Sequence, residues 1–274
     1  MKLKKMFMTS VMALSVTALA ACGGGGAAKP ADKPAEPAKS DAAAKPTADG
    51  KTYQVGTDAA YPPFEKQVGS KIEGFDVEIL NAVADAGGFK VNLQHTGWDP
   101  LFDGIDKGKV DMGISAITIN DDRKKNYDFS DPYFDAKQLI LVGKDSTVTK
   151  FDDLKGKKIG VQSATTGETA VQEKFGKTYE GLKGYDDTPA AIDDLINGRV
   201  EAVVADNAVV MEYMKKIGDK GFKVIEDPQF KPEQYGIMVK KGNKEILDKV
   251  NAGLKKIKDN GKYKAIYDQY FGKK

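Results

Sequence analysis

Hydrophobic and polar positions divide the 274-residue chain into three unequal stretches. Residues 6–20 are an apolar run broken only by Thr and Ser, and residues 23–50 carry almost no bulky apolar side chain. From Tyr53 onward, short apolar runs alternate with amphipathic ones. Strands are predicted at 53–56, 91–95 and 110–114, with a proline-extended loop over 57–65 after the first. Between them, Ile79, Leu80 and Val83 share one face of a helix that stops at Gly87-Gly88, and a short helix covers 100–106. A second series follows: strands at 138–142, 158–161, 202–205 and 222–225, with helices ending at Phe175, spanning 189–197 under a Thr188 cap, and spanning 207–217. A strand at 236–239 and two lysine-rich helices, 244–259 and 262–271, complete the pattern. Such alternation predicts α/β doubly wound sheets, whose ligands sit beyond the carboxyl ends of strands. Asp58, Ser115, Gln162 and Asp206 each follow a predicted strand, which points to one shared cleft.

The first stretch reads as an export signal. Lys2, Lys4 and Lys5 precede an apolar run shorter than the roughly 20 residues a bilayer core requires, and Leu19-Ala20-Ala21-Cys22 follows with the pattern of a bacterial lipobox. Residues 1–21 are therefore expected to be removed and Cys22 to carry lipid, anchoring an extracytoplasmic protein to the membrane. Residues 22–50, rich in Gly, Ala, Lys and Pro, cannot bury enough surface to fold and read as a tether. Cys22 is the sole cysteine, so no internal disulfide supports the fold and stability rests on the hydrophobic core.

Charge and composition narrow the function. The 42 basic and 40 acidic residues give +2, and without the three signal lysines the balance is 39 to 40, so nothing invites a nucleic-acid partner. The single histidine, His95, lies in a predicted strand with no cluster at metal-ligand spacing, and no glycine-rich phosphate loop follows a strand. No metal, cofactor or catalytic residue is therefore assigned, and His95 reads as structural. What remains is recognition chemistry. Arg123 offers a planar fork for a carboxylate, although it also stands in a run with Lys124 and Lys125 that fits a solvated face equally well. Asp206 suits an ammonium, Thr118, Thr165 and Thr166 supply hydroxyls, and Tyr61 and Trp98 supply apolar walls. A zwitterion needs both charges matched, because a buried unpaired ion costs several kcal/mol. The set fits an α-amino acid.

Taken in order, several motifs carry a resemblance across essentially the whole chain after the tether. They are the signal and lipobox, Thr57-Asp58 before Tyr61-Pro62-Pro63-Phe64, Gly74-Phe75-Asp76, Ala116-Ile117-Thr118 running to Arg123, Tyr127-Asp128-Phe129-Ser130, Gly160-Val161-Gln162 and Gly261-Lys262-Tyr263. The chain resembles the polar amino-acid-binding lipoproteins of ABC importers, solute-binding protein family 3. Its segments 97–102, 162–168 and 203–210 resemble the arginine, lysine and histidine binders of Gram-positive bacteria. The resemblance implies two doubly wound lobes of periplasmic binding protein-like type II, joined by a two-strand hinge. Lobe 1 would comprise 51–135 plus 236–274, and lobe 2 would comprise 136–235. It further implies that Arg123 grips the ligand α-carboxylate with help at Thr118, Thr165 and Thr166. Asp206 takes the α-ammonium together with acceptors at Ala116 and Thr118, near Ser115. Tyr61 and Trp98 sandwich the ligand side chain, and Asp58, Glu65 and Gln162 face its far end. Two departures bear on specificity: glutamine-binding relatives commonly carry Lys at the position of Gln162, and a basic or aromatic residue at Ala205. With Asp58 and Glu65 present and no lysine, the far end favours a cationic side chain by Coulomb attraction. The expectation is a monomeric receptor that captures arginine, with lysine or histidine also open, and delivers it to an ABC permease. A glutamine binder, a dehydratase on the same fold and a sensory module are the alternatives.

Overall fold

The computed structural model describes residues 50–218 and 221–272. The predicted signal, Cys22 and almost all of the tether lie outside the described residues. The chain begins with β1 (Thr52–Thr57), β2 (Ala60–Tyr61), β3 (Glu65–Val68), β4 (Lys71–Glu73), α1 (Phe75–Gly87), β5 (Lys90–His95), α2 (Trp98–Asp106) and β6 (Met112–Gly113). It continues through α3 (Asp121–Asn126), β7 (Tyr127–Phe129), β8 (Phe134–Ala136), β9 (Gln138–Gly143), a 3-10 turn (Phe151–Leu154), β10 (Ile159–Gln162), α4 (Thr166–Phe175) and β11 (Leu182–Tyr185). It closes with α5 (Thr188–Ile196), β12 (Ala202–Asp206), α6 (Asn207–Ile217), β13 (Phe222–Ile225), β14 (Glu233–Tyr235), β15 (Met238–Lys240), α7 (Lys244–Asp259) and α8 (Lys262–Phe271).

These strands form two five-stranded mixed sheets, ordered β5-β1-β6-β15-β7 and β11-β10-β12-β9-β13. Helices cover both sides of each sheet, and in the second sheet β9 and β12 are buried on both faces, which is why they read as unbroken apolar runs rather than alternating ones. Leu139, Leu141, Val203 and Ala205 pack toward one helical layer, with Ala191, Ile192 and Val210. Ile140, Val142, Ala202 and Val204 pack toward the other, with Phe151, Leu154 and Val171. In the first sheet α1, α7 and α8 bury an aromatic-rich core around Phe64, Phe75 and Phe134, while α2 covers the opposite face with Leu101 and Ile105. At Gly253 of α7 a Cβ would lie 2.3 Å from the carbonyl oxygen of Val83, so the glycine is what lets α7 lie directly on α1.

In both sheets the strand order turns back at the centre. β1 leads outward to β5 before the chain returns to β6 on its other side, and β10 leads to β11 before it returns to β12. Such switch points open a crevice beyond the strand ends, and the loops after β1, β6, β10 and β12 supply it with side chains. The chain passes between the sheets twice. The two crossings pair as β8 and β14, with Glu233 opposite Ala136 and Tyr235 opposite Phe134.

The structure departs from the sequence pattern in several places. Thr188 is not the cap of α5: Asp187 is, its Oδ1 accepting from Ala190 N at 2.8 Å, and Thr188 begins the helix ahead of Pro189. The strand expected over 110–114 is pairing-competent only at Met112–Gly113, since Val110 turns into the cluster under α2. The loop after β1 holds the small sheet β2-β3-β4, whose exposed residues 66–71 show no apolar alternation to announce it.

Candidate functional site

Eight of the predicted site residues, Asp58, Tyr61, Glu65, Trp98, Ser115, Ala116, Thr118 and Arg123, come from the segments that follow β1, β5 and β6 of the first sheet. After β1, the N–H of Asp58 donates to Ser115 Oγ at 3.0 Å, and Ser115 Oγ donates to Glu65 Oε1 at 2.6 Å. After β6, Ala116 takes a left-handed φ of 46°, a conformation that costs a residue with a Cβ on the order of 1 kcal/mol. Its N–H is held by Asp76 Oδ2 at 2.8 Å, to which Tyr133 also donates at 2.7 Å. Thr118 closes the loop by bridging to Tyr235.

Glu65, expected at the far end of the ligand, is fully buried beneath this loop and does not line the cavity. Its role is to anchor Ser115. Burial, and then the charge of Asp76, push its carboxyl well above the ordinary range, while Asp76 rises less because the Ala116 N–H and the Tyr133 hydroxyl favour its ionised form. The remaining oxygens, Glu65 Oε2 and Asp76 Oδ1, find no other donor. A proton kept on Glu65 lets the two carboxyls share a hydrogen bond.

Arg123 lies one turn into α3, where Asn120 Oδ1 caps its backbone N–H at 2.8 Å. Its side chain turns back from the surface instead of joining Lys124 and Lys125 in solvent. Nη1 donates to Thr118 O at 2.9 Å, Nη2 to Ala164 O at 3.5 Å, and the guanidinium lies 5.2 Å from the Trp98 ring and 5.5 Å from that of Phe102. Desolvation lowers its pKa, opposed by the charges of Glu233 and Asp206. Among the described residues its guanidinium reaches only carbonyl oxygens and ring faces, which leaves a half-buried cation without a bonded anion.

The second sheet supplies the opposite wall. Thr165 caps α4, accepting from Glu168 N at 3.3 Å and donating to Gln162 O at 2.8 Å. Its hydroxyl is thereby committed locally. Among the described residues the N–H groups of Thr166 and Gly167, at the head of α4, have no hydrogen-bond partner, an arrangement suited to an anion. Asp206, 6% exposed at the end of β12, accepts from Tyr61 OH at 2.7 Å and from Gln138 Nε2. Desolvation, with a smaller contribution from the charge of Glu233, raises its pKa to about 7. Gln162 Nε2 donates to Asp58 Oδ2 at 2.9 Å, and Trp98 Nε1 to Ala164 O at 3.2 Å. Ala164, like Ala116, is left-handed, with φ 57°.

One cavity is lined by eleven of the twelve predicted residues: Asp58, Tyr61, Trp98, Ser115, Ala116, Thr118, Arg123, Gln162, Thr165, Thr166 and Asp206. Bonds between the two sheets' loops, Asp58 to Gln162, Tyr61 to Asp206 and Trp98 to Ala164, hold it shut around about 20 Å³, the space of a water or two. A larger solute enters only if the halves part. Sequence reasoning missed Gln138 and Thr188 in the wall and Glu233 behind it. Glu233 accepts from Thr118 Oγ1 at 2.5 Å, Thr166 Oγ1 at 2.8 Å and Gln138 Nε2 at 2.9 Å. Gln138 carries a weak signal as the one polar residue heading an apolar strand; Glu233 carries none, because it arrives on the returning crossover.

A family description, bacterial extracellular solute-binding proteins, family 3, matches residues 53–273. The chain belongs to this family. The solute-binding protein is 39% identical to a probable histidine-binding protein of Neisseria gonorrhoeae over 100% of this chain and 97% of the relative. It is also similar to the solved arginine-, lysine-, histidine-binding protein ArtJ of Geobacillus stearothermophilus, at 51% identity and a TM-score of 0.79, over 82% of this chain and 96% of that one. An ancestral amino-acid-binding protein, AncCDT-1, described as a precursor of cyclohexadienyl dehydratase, matches at 35% identity and a TM-score of 0.72, over 80% and 95%. The fold is thus the type II binding-protein fold, and the family acts outside the cytoplasm. Among the described residues no helix is long and apolar enough to cross a membrane, and no group of three or more His, Cys, Asp and Glu could hold a metal ion.

Proposed function

We propose that this solute-binding protein captures an α-amino acid with a cationic side chain and presents it to an ABC permease. The observation that carries the reading is the pair of charges facing one cavity from different sheets and uncompensated among the described residues: Arg123, bonded to carbonyls and rings, and Asp206, buried without a cation. A zwitterion satisfies both at once, its carboxylate taken by the Arg123 fork and the free N–H groups of α4, its ammonium by Asp206. Asp58 lies farther along the same cavity with no lysine or further arginine in the wall, which favours a positive side chain between Tyr61 and Trp98. The names of the histidine- and arginine-binding relatives agree with this assignment. Calorimetry against the twenty amino acids is the test. We expect arginine, lysine or histidine to bind with Kd in the micromolar range or tighter, about −8 kcal/mol; heat from glutamine with none from any cationic amino acid contradicts the ligand class.

Lobe 1, 51–135 plus 236–274, and lobe 2, 136–235, move about the β8 and β14 crossings in this reading, which supports opening to admit the solute. The buried carboxylates serve binding, so incubation with the bound amino acid returns it unchanged. The chain works as a single copy, tethered through lipid on Cys22 by residues 22–50. Cys22→Ala is expected to release it from the membrane fraction, and unchanged membrane retention of that variant contradicts the anchor.

A further inference from the structure

The cavity does not end at Asp58. A second hollow of about 290 Å³ adjoins it, sharing Asp58 and Trp98 as common walls and lying between the same two halves. Four carboxylates line it, those of Asp58, Asp99, Asp186 and Asp187, with His95 as its one other titratable side chain apart from Tyr185. No lysine or arginine is among its walls.

Asp58 is 5% exposed, and among the described residues only one of its oxygens is engaged: Oδ2 accepts from Gln162, while Oδ1 takes part in no hydrogen bond. His95 Nδ1 stands 4.0 Å from Oδ1, yet that nitrogen accepts the N–H of Ala59 at 3.0 Å and has no proton to offer the carboxylate. The contact is therefore not an ion pair. A buried carboxylate with a free oxygen stands at the junction of the two spaces, and beyond it the field is negative throughout.

We propose that this hollow is an extension subsite for basic amino acids substituted on their terminal nitrogen, such as Nω-alkylated arginines. The inference rests on the proposed function for the orientation of the ligand, with its α-end at Arg123 and Asp206 and its side chain toward Asp58. The terminal cation pairs with the free Asp58 oxygen. A substituent on it passes Trp98 into the 290 Å³ hollow, where a second positive charge meets Asp99, Asp186 and Asp187. A closed-ended site has no room for three added carbons.

Calorimetry of the purified chain with L-arginine, Nω-propyl-L-arginine and Nω-(3-aminopropyl)-L-arginine tests this. The propyl compound is expected to bind within about tenfold of arginine, and the aminopropyl compound at least about threefold more tightly than the propyl at low salt. That ratio falls toward one in Asp99→Asn/Asp186→Asn, where each variant serves as its own reference. If arginine binds but the propyl compound is weaker by more than about a hundredfold, the end is closed and the inference is overturned. It is equally overturned if the aminopropyl advantage is absent or survives the double substitution. If no basic amino acid binds at all, the proposed function itself fails, a result distinct from arginine binding without its extended forms.

Discussion

Replacing Arg123 with glutamine is expected to weaken amino-acid capture by roughly two to three and a half orders of magnitude. Removing one partner from a desolvated ion pair costs about 3–5 kcal/mol, and here the ligand carboxylate would be left facing Thr118 and α4 with only neutral donors. The fold should survive, because α3 uses the backbone N–H of Arg123 rather than its side chain for its cap. Arg123→Lys keeps the charge but loses the planar fork and the packing on Trp98 and Phe102, so an intermediate loss is expected. Calorimetry with the preferred ligand, alongside circular dichroism to check folding, measures both. A Kd within tenfold of the parent for Arg123→Gln removes Arg123 from the site.

The second large effect is a pH dependence centred on Asp206. Its carboxyl is raised from 3.8 to about 7 in the empty protein, and an ammonium can replace the proton only when the group ionises. Affinity should therefore be flat above pH 7 and fall by close to tenfold per unit below it, on the order of a hundredfold by pH 5. Asp206→Asn should bind weakly with this slope abolished; a slope unchanged by the substitution assigns the titration elsewhere. Stability follows with the opposite dependence in the empty protein. A carboxyl with a raised folded-state pKa binds more protons folded than unfolded between about pH 4 and 7, so stability declines as pH rises through that window. The elevated carboxyls of Asp58 and of the Glu65–Asp76 pair act in the same direction. Ligand restores what ionisation removes, so the ligand-induced rise in Tm should be larger at pH 8 than at pH 5.

How much of this was legible in the sequence follows from the physics of each element. The long periodic helices α1, α7 and α8, and the strands at 138–143 and 202–206, announce themselves because burial on one face or both leaves a period in the residues. β2, β3 and β4 do not, since they pair along a mostly solvated ribbon. The expected position of Glu65 failed for a related reason: an acidic residue beside pocket aromatics reads as a wall, and nothing local shows that Ser115 stands between it and the cavity. Arg123 is ambiguous within its lysine run because what separates it from Lys124 and Lys125 is tertiary: its guanidinium meets Thr118 O and the Trp98 and Phe102 rings. Glu233 was invisible because its partners, Thr118, Gln138 and Thr166, lie 67 to 115 residues away.

A crystal structure of the protein grown with L-arginine examines the charge clamp most directly. The account predicts the α-carboxylate bidentate on Arg123 at about 2.7–2.9 Å, the α-ammonium on Asp206, and the side chain running between Tyr61 and Trp98 toward Asp58. An arginine bound outside this cavity, or lying within it with neither Arg123 nor Asp206 in contact with its charged ends, contradicts the account.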